Sequence, residues 1–216
     1  MSLGDEIGLI ANCETFSNLE ILAISSHKLG NAGLSDIFNS PFLKKLKTLT
    51  LSNNEFNNFG IASLGTFNLC NLSELTLDFE HVKTEDIQLM CRNQLFSNLR
   101  KLVLKIWIQE QDFSNILTNS VWVNLKELEF SCYRIEDRDK VLNIKCTLQL
   151  EKLKIHASNL EVCRALVNNK TISRSLKYLD VGGINGYHDN PKDKRNVAEI
   201  KASIETFIFM FNDFVF

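Results

Sequence analysis

In the stretch Leu46–Lys–Thr–Leu49–Thr–Leu51–Ser–Asn–Asn54–Glu–Phe56, apolar residues fall at positions one, four, six and eleven, with an asparagine at nine. Leu49 and Leu51 alternate with Thr48, Thr50 and Ser52, and a period of two predicts a short, half-buried strand. Asn54 follows, and an asparagine amide can bond the backbone groups left open where a chain bends. The same frame starts at Leu19, Leu46, Leu72, Leu99, Leu125, Leu150, Leu176 and, in weaker form, Ile204. Successive starts lie 27, 26, 27, 26, 25, 26 and 28 residues apart. Between frames the spacing becomes helical: Leu34, Ile37 and Phe38 stand at i, i+3 and i+4, as do Ile87, Met90 and Cys91, and Phe113, Ile116 and Leu117. Each trio starts twelve residues before the next frame (34 to 46, 87 to 99, 113 to 125), so strand and helix keep one register.

A leucine frame repeating at this period resembles the leucine-rich repeat family, and the resemblance covers almost the whole chain. It implies an α/β fold, a right-handed leucine-rich-repeat solenoid of about eight coils with a concave parallel sheet and convex helices. Each coil buries three or four Leu-like side chains from its strand, at roughly 1.5–3 kcal/mol each, so several must stack before burial outweighs chain entropy. Residues 1–216 then form a single domain. One departure from the family is position nine, occupied by His27, Asn54, Glu80, Trp107, Tyr133, Ser158, Ile184 and Asn212 rather than a regular asparagine column, which predicts irregular turns. The coil length is similar to that of F-box substrate receptors and of the ribonuclease-inhibitor type. The former carry a ligase-recruiting helical domain that this sequence lacks. Repeat proteins that activate GTPases carry a catalytic arginine in an early coil, whereas the first arginine here is Arg92.

Ile7, twelve residues before Leu19, places residues 5–18 as the helical half of a coil. At the far end, Phe207–Ile–Phe–Met–Phe211 and Phe214–Val–Phe216 form an apolar strand at the sheet edge, a position prone to association. Both features predict part of a longer array, or docking of another domain or chain at the Phe-rich edge.

Charge changes the picture little. A net charge of −2 argues against general affinity for nucleic acid or anionic membrane. No apolar run approaches the ~20 residues that span a bilayer, and the start has no secretion signal, so a cytoplasmic or nuclear protein is expected. Six cysteines without a Cys-x-x-Cys pair read as buried reduced thiols. Asn71–Leu–Ser73 and Asn169–Lys–Thr171 match the glycosylation pattern, which carries no meaning inside a cell.

Family binding surfaces use residues pointing out from the concave strands, at frame positions three, five, seven and eight. Here these supply Glu74, Asp78, Lys101, Lys105, Glu127, Glu129, Lys152, Lys154 and His156, with Phe79, Val103 and Ile106 as apolar contacts among the charges. Glu74, Lys101, Glu127 and Lys152 alternate in sign and can pair laterally between strands ~4.8 Å apart. Such a row is either a self-neutralising solvated ladder or the footprint of a protein partner. The Gly-rich segment 182–196 lacks a Gly-Lys-Ser/Thr ending, so it reads as a surface loop and not a phosphate cradle. Four scattered histidines predict no metal site, and Cys132 and His156 on neighbouring strands lack an oxyanion site or orienting group. No cofactor is expected. The reading is a non-enzymatic protein-binding module, with a structural assembly subunit or ubiquitin-ligase substrate receptor as alternatives.

Overall fold

The computed structural model describes residues 6–57, 69–81, 83–132, 141, 143–157, 166 and 168–182. The eighth frame at Ile204, the Phe-rich C-terminal segment, the loop beyond Gly182, Tyr133 and Cys163 lie outside them. Seven strands form one sheet in sequence order, every neighbouring pair parallel: β1 Ile21–Ser25, β2 Thr48–Asn57, β3 Glu74–His81, β4 Lys101–Ile108, β5 Glu127–Cys132, β6 Lys152–Ala157 and β7 Tyr178–Gly182. Helices precede or separate them: α1 Ile7–Ala11, α2 Gly30–Phe38, α3 Thr84–Arg92, α4 Glu110–Leu117 and α5 Lys170–Ser173. Each strand begins two residues after a frame start, so the leucine period sets the sheet.

Equal frame positions face one another. Leu22, Leu49, Leu75, Leu102, Leu128, Leu153 and Leu179 are successive register partners. Ile24, Leu51, Leu77, Leu104, Phe130, Ile155 and Val181 form a second such row. A parallel sheet covered by helices on one side needs this uninterrupted apolar layer. Leu34, Ile37 and Phe38 of α2, Ile87 and Met90 of α3, and Phe113, Ile116 and Leu117 of α4 join the same core from the helical side. The rows of Leu49, Leu75, Leu102 and Leu128 thus belong to one core and not to separate ones.

One hydrogen-bond joint recurs where the chain enters each strand. The carbonyl of Glu20 accepts both Lys47 N–H (2.8 Å) and Thr48 N–H (3.1 Å). The carbonyls of Lys47, Ser73, Arg100, Lys126 and Glu151 each accept the two corresponding N–H groups of the next unit, at 2.7–3.1 Å. Buried polar residues tie the helical side. Asn119 donates to Cys91 O (2.9 Å) and accepts from the Val121 and Trp122 N–H groups. Ser40 does the same between Ala11 O and the Phe42 and Leu43 N–H groups. Asn169 donates to Val141 O and Ile144 O and caps α5. At 2 % exposure its amide has no room for a glycan in the folded chain.

Candidate functional site

Alternation along the strands turns the polar rows to the side opposite the leucines. Thr48, Glu74, Lys101, Glu127, Lys152 and Tyr178 are consecutive register partners, preceded by Ile21 on β1. The next outward row runs Ala23, Thr50, Thr76, Val103, Glu129, Lys154 and Asp180. A third places Ser25 beside Ser52, Asp78 beside Lys105, and Ser131 beside His156. Whole strands therefore alternate in sign: β3 acidic, β4 basic, β5 acidic, β6 basic.

The charges on β5, β6 and β7 engage one another. Lys152 lies 3.6 Å from Glu127, and Lys154 bridges Glu129 (3.9 Å) and Asp180 (3.6 Å). His156 Nε2 is 3.4 Å from Glu129. The Lys152 ammonium also sits 5.4 Å from the Tyr178 ring centroid, and the Tyr178 hydroxyl donates to Asp180 at 3.4 Å. All these side chains are partly exposed, so each pair contributes under about 1 kcal/mol and can exchange partners. On the central strands Lys105 donates to Ser52 Oγ (3.2 Å), reaching from β4 over β3 to β2, while Asp78 accepts the Asn53 N–H at 3.2 Å. An ammonium donates and does not accept, so the Lys105–Ser52 contact is a tether between strands and not a nucleophile–base pair.

Two of the three residues expected as apolar contacts, Phe79 and Ile106, lie elsewhere. Phe79 (3 % exposed) and Ile106 (1 %) are part of the core. Their strands stay extended past position seven, so position eight continues the inward alternation. In the first two units the backbone behaves differently around position nine: Asn53 and Glu55 adopt positive φ (53° and 59°), and Asn54 turns inward. Ser26 and Lys28 repeat those kinks at the same frame positions just after β1, around His27. Val103 is on the outward face but only 8 % exposed, so it offers a partner little surface. The register shifts after Leu51 on β2 and after Leu104 on β4 accommodate the unequal strand ends. Cys132 is fully buried in the core while His156 faces Glu129, so the two lie on opposite sides of the sheet. Cys70 is exposed and Cys13, Cys91 and Cys146 are intermediate, so burial of the thiols is complete only at Cys132 among the described cysteines.

No protein-family model matches this chain, and no curated protein matches it.

Two further side-chain rows follow the frame. Immediately before the first five frames stand Asn18, Lys45, Asn71, Asn98 and Asn124. Asn71 donates to Lys44 O (2.7 Å), Asn98 to Cys70 O (3.1 Å) and Asn124 to Ser97 O (2.8 Å), each reaching the preceding unit. The recurring Asn-Leu dipeptide was the available signal. Frame position two forms another exposed row with Glu20–Lys47 (2.7 Å) and Glu151–Lys177 (2.8 Å) ion pairs at its ends. The Lys177 ammonium holds the Glu151 carboxyl below its ordinary range. Among the described residues no three His, Cys, Asp or Glu side chains group to hold a metal, and no helix is long and apolar enough to cross a membrane.

Proposed function

We propose that the chain is a leucine-rich-repeat solenoid that binds a partner protein on the outward, concave face of its sheet and catalyses no reaction. The observation that carries this reading is the outward face itself, seven strands in register with alternating whole-strand charge. Six inter-strand steps of ~4.8 Å and five residues at ~3.3 Å give a footprint of about 29 by 17 Å. Exposed ion pairs that exchange partners at little cost suit a surface that is solvated when free and complementary when bound.

The test is charge reversal at Lys101 and Lys105 on β4. The K101E/K105E chain should keep the wild-type circular dichroism, melt somewhat lower because like charges now face one another across β3, β4 and β5, and lose the proteins that the wild-type chain captures from native extract, quantified by mass spectrometry. Equal recovery by the two chains would remove the central sheet face from consideration.

A second reading, an assembly subunit, draws support from exposed Leu9 (74 %), Phe16 (38 %) and Ile21 (65 %) around the β1 edge. Its sign would be concentration-dependent self-association abolished by Ile21→Lys.

A further inference from the structure

Beside the sheet face, where the chain enters strands β1 to β4, lies an open groove of about 500 Å³ lined by Glu20, Lys45, Lys47, Asn71, Ser73 and Arg100. Three cations and one carboxylate give it a positive charge in a chain whose net charge is −2. Its components are held to different degrees. Lys47 is paired with Glu20, and Lys45 donates to Asn18 Oδ1 at 2.6 Å, leaving two of its ammonium protons. Asn71 and Ser73 are turned to the backbone of the preceding unit, donating to Lys44 O and Lys47 O. They form a floor rather than ligands. Arg100 is exposed, and its guanidinium makes no hydrogen bond or ion pair among the described residues. Its five N–H donors are the unoccupied part of the groove, in a fork that matches a carboxylate with two parallel bonds.

We propose that this rim groove docks an acidic segment of a partner protein, with one carboxylate on Arg100 and a second between Lys45 and Lys47. The two ends of the groove are two units apart, about 10 Å, which a segment in the polyproline II conformation spans with acidic residues three positions apart on one face. A nucleic acid fits the row less well. Its phosphates repeat along the whole strand, whereas the row carries a carboxylate inside the groove, Glu20, and another two units past Arg100, Glu151. The proposal rests on the protein-binding reading for the class of partner, and it supplies area that reading needs. A flat footprint of about 500 Å² is short of the ~800 Å² per partner common in stable complexes, so a bound protein would extend over this rim.

The experiment uses the whole chain and fluorescein-labelled hexaglutamate, followed by anisotropy. The wild-type chain should bind the peptide saturably at low salt and more weakly as salt rises. K45E/R100E should weaken binding by about tenfold or more, the neutral R100Q variant should weaken it less, and R92E/K170E on the helical side should leave it unchanged. Unchanged circular dichroism would show that the variants fold. Absence of saturable binding, equal binding by K45E/R100E, or displacement of the peptide by oligothymidylate of equal charge at lower concentration would overturn the proposal. Loss of captured proteins by K101E/K105E is a separate readout, so the rim can fail while the sheet face holds, and the reverse.

Discussion

Replacing Asn54 by alanine removes three hydrogen bonds from a side chain with 0 % exposure. Two of them cross between units: the amide donates to Ile24 O at 2.9 Å and its oxygen accepts His27 N–H at 3.1 Å. The third closes locally on Ser52 O at 3.0 Å, which also accepts Ser26 N–H and so keeps a partner. At about 1 kcal/mol for each bond, with more for a buried group left open, N54A should lose roughly 2–4 kcal/mol. With a urea slope of about 2 kcal/mol per molar, the midpoint followed by circular dichroism should fall by about 1–2 M. Asn71→Ala is the control. It too removes an amide that reaches the preceding unit, but at an exposed position where water replaces the bond, so its loss should stay under about 1 kcal/mol. Hydrogen exchange at the Ser26 and His27 amides should accelerate in N54A and not in N71A. A midpoint for N54A equal to that of N71A would refute the argument that burial, and not the bond itself, sets the cost.

Two other expectations concern titrating groups. Burial raises the Asp112 carboxyl above its ordinary value, while the Gln109 N–H and the Thr84 hydroxyl pull it back. Because the folded value lies above the unfolded one, the stabilisation belongs to the protonated form. It is complete below the unfolded value of about 4 and is lost as pH rises through the folded value. The melting temperature of Asp112→Asn minus that of the wild type should therefore grow from mildly acidic to neutral pH, and a constant difference would contradict the assignment. For the thiols, burial pushes Cys91 up to about 11 and also raises Cys146, hydrogen bonding from Thr15 lowers Cys13, and Cys70 is exposed. Iodoacetamide at neutral pH with peptide-resolved mass spectrometry should label Cys13 and Cys70 first and Cys91, Cys132 and Cys146 last, and early labelling of Cys91 would contradict its burial.

The leucine row was legible because burial and period act together. A residue such as Leu102 faces Leu75 and Leu128 only if both neighbours keep the same spacing, and the sequence repeats that spacing six times within the described residues. The charge alternation followed from the same register, since Glu74, Lys101, Glu127 and Lys152 share one frame position. Phe79 and Ile106 lie inward because, among the described residues, β3 and β4 have none of the positive-φ kinks that flank His27 and Asn54 in the first two units, and the residue at nine does not announce that difference. There the strands continue and the aromatic and aliphatic side chains follow the period inward. The reach of Lys105 to Ser52 depends on a long flexible side chain, and no spacing rule encodes it. The Asn-Leu dipeptides were visible but fell just outside the chosen frame, so the amides that clip Asn71, Asn98 and Asn124 to the unit before them went unread.

The shared carbonyl at the start of each strand makes the chain modular in a strict sense. Each such joint involves only the two units that meet there, for example Ser73 O with the N–H groups of Arg100 and Lys101. Excising residues 73–99 would bring Lys47 O against those same two donors, with Leu49 beside Leu102. A deletion one residue longer or shorter would set leucines where the charged rows stand. Length can therefore be edited in whole periods, and the order of acidic and basic strands recomposed, without redesigning the interior.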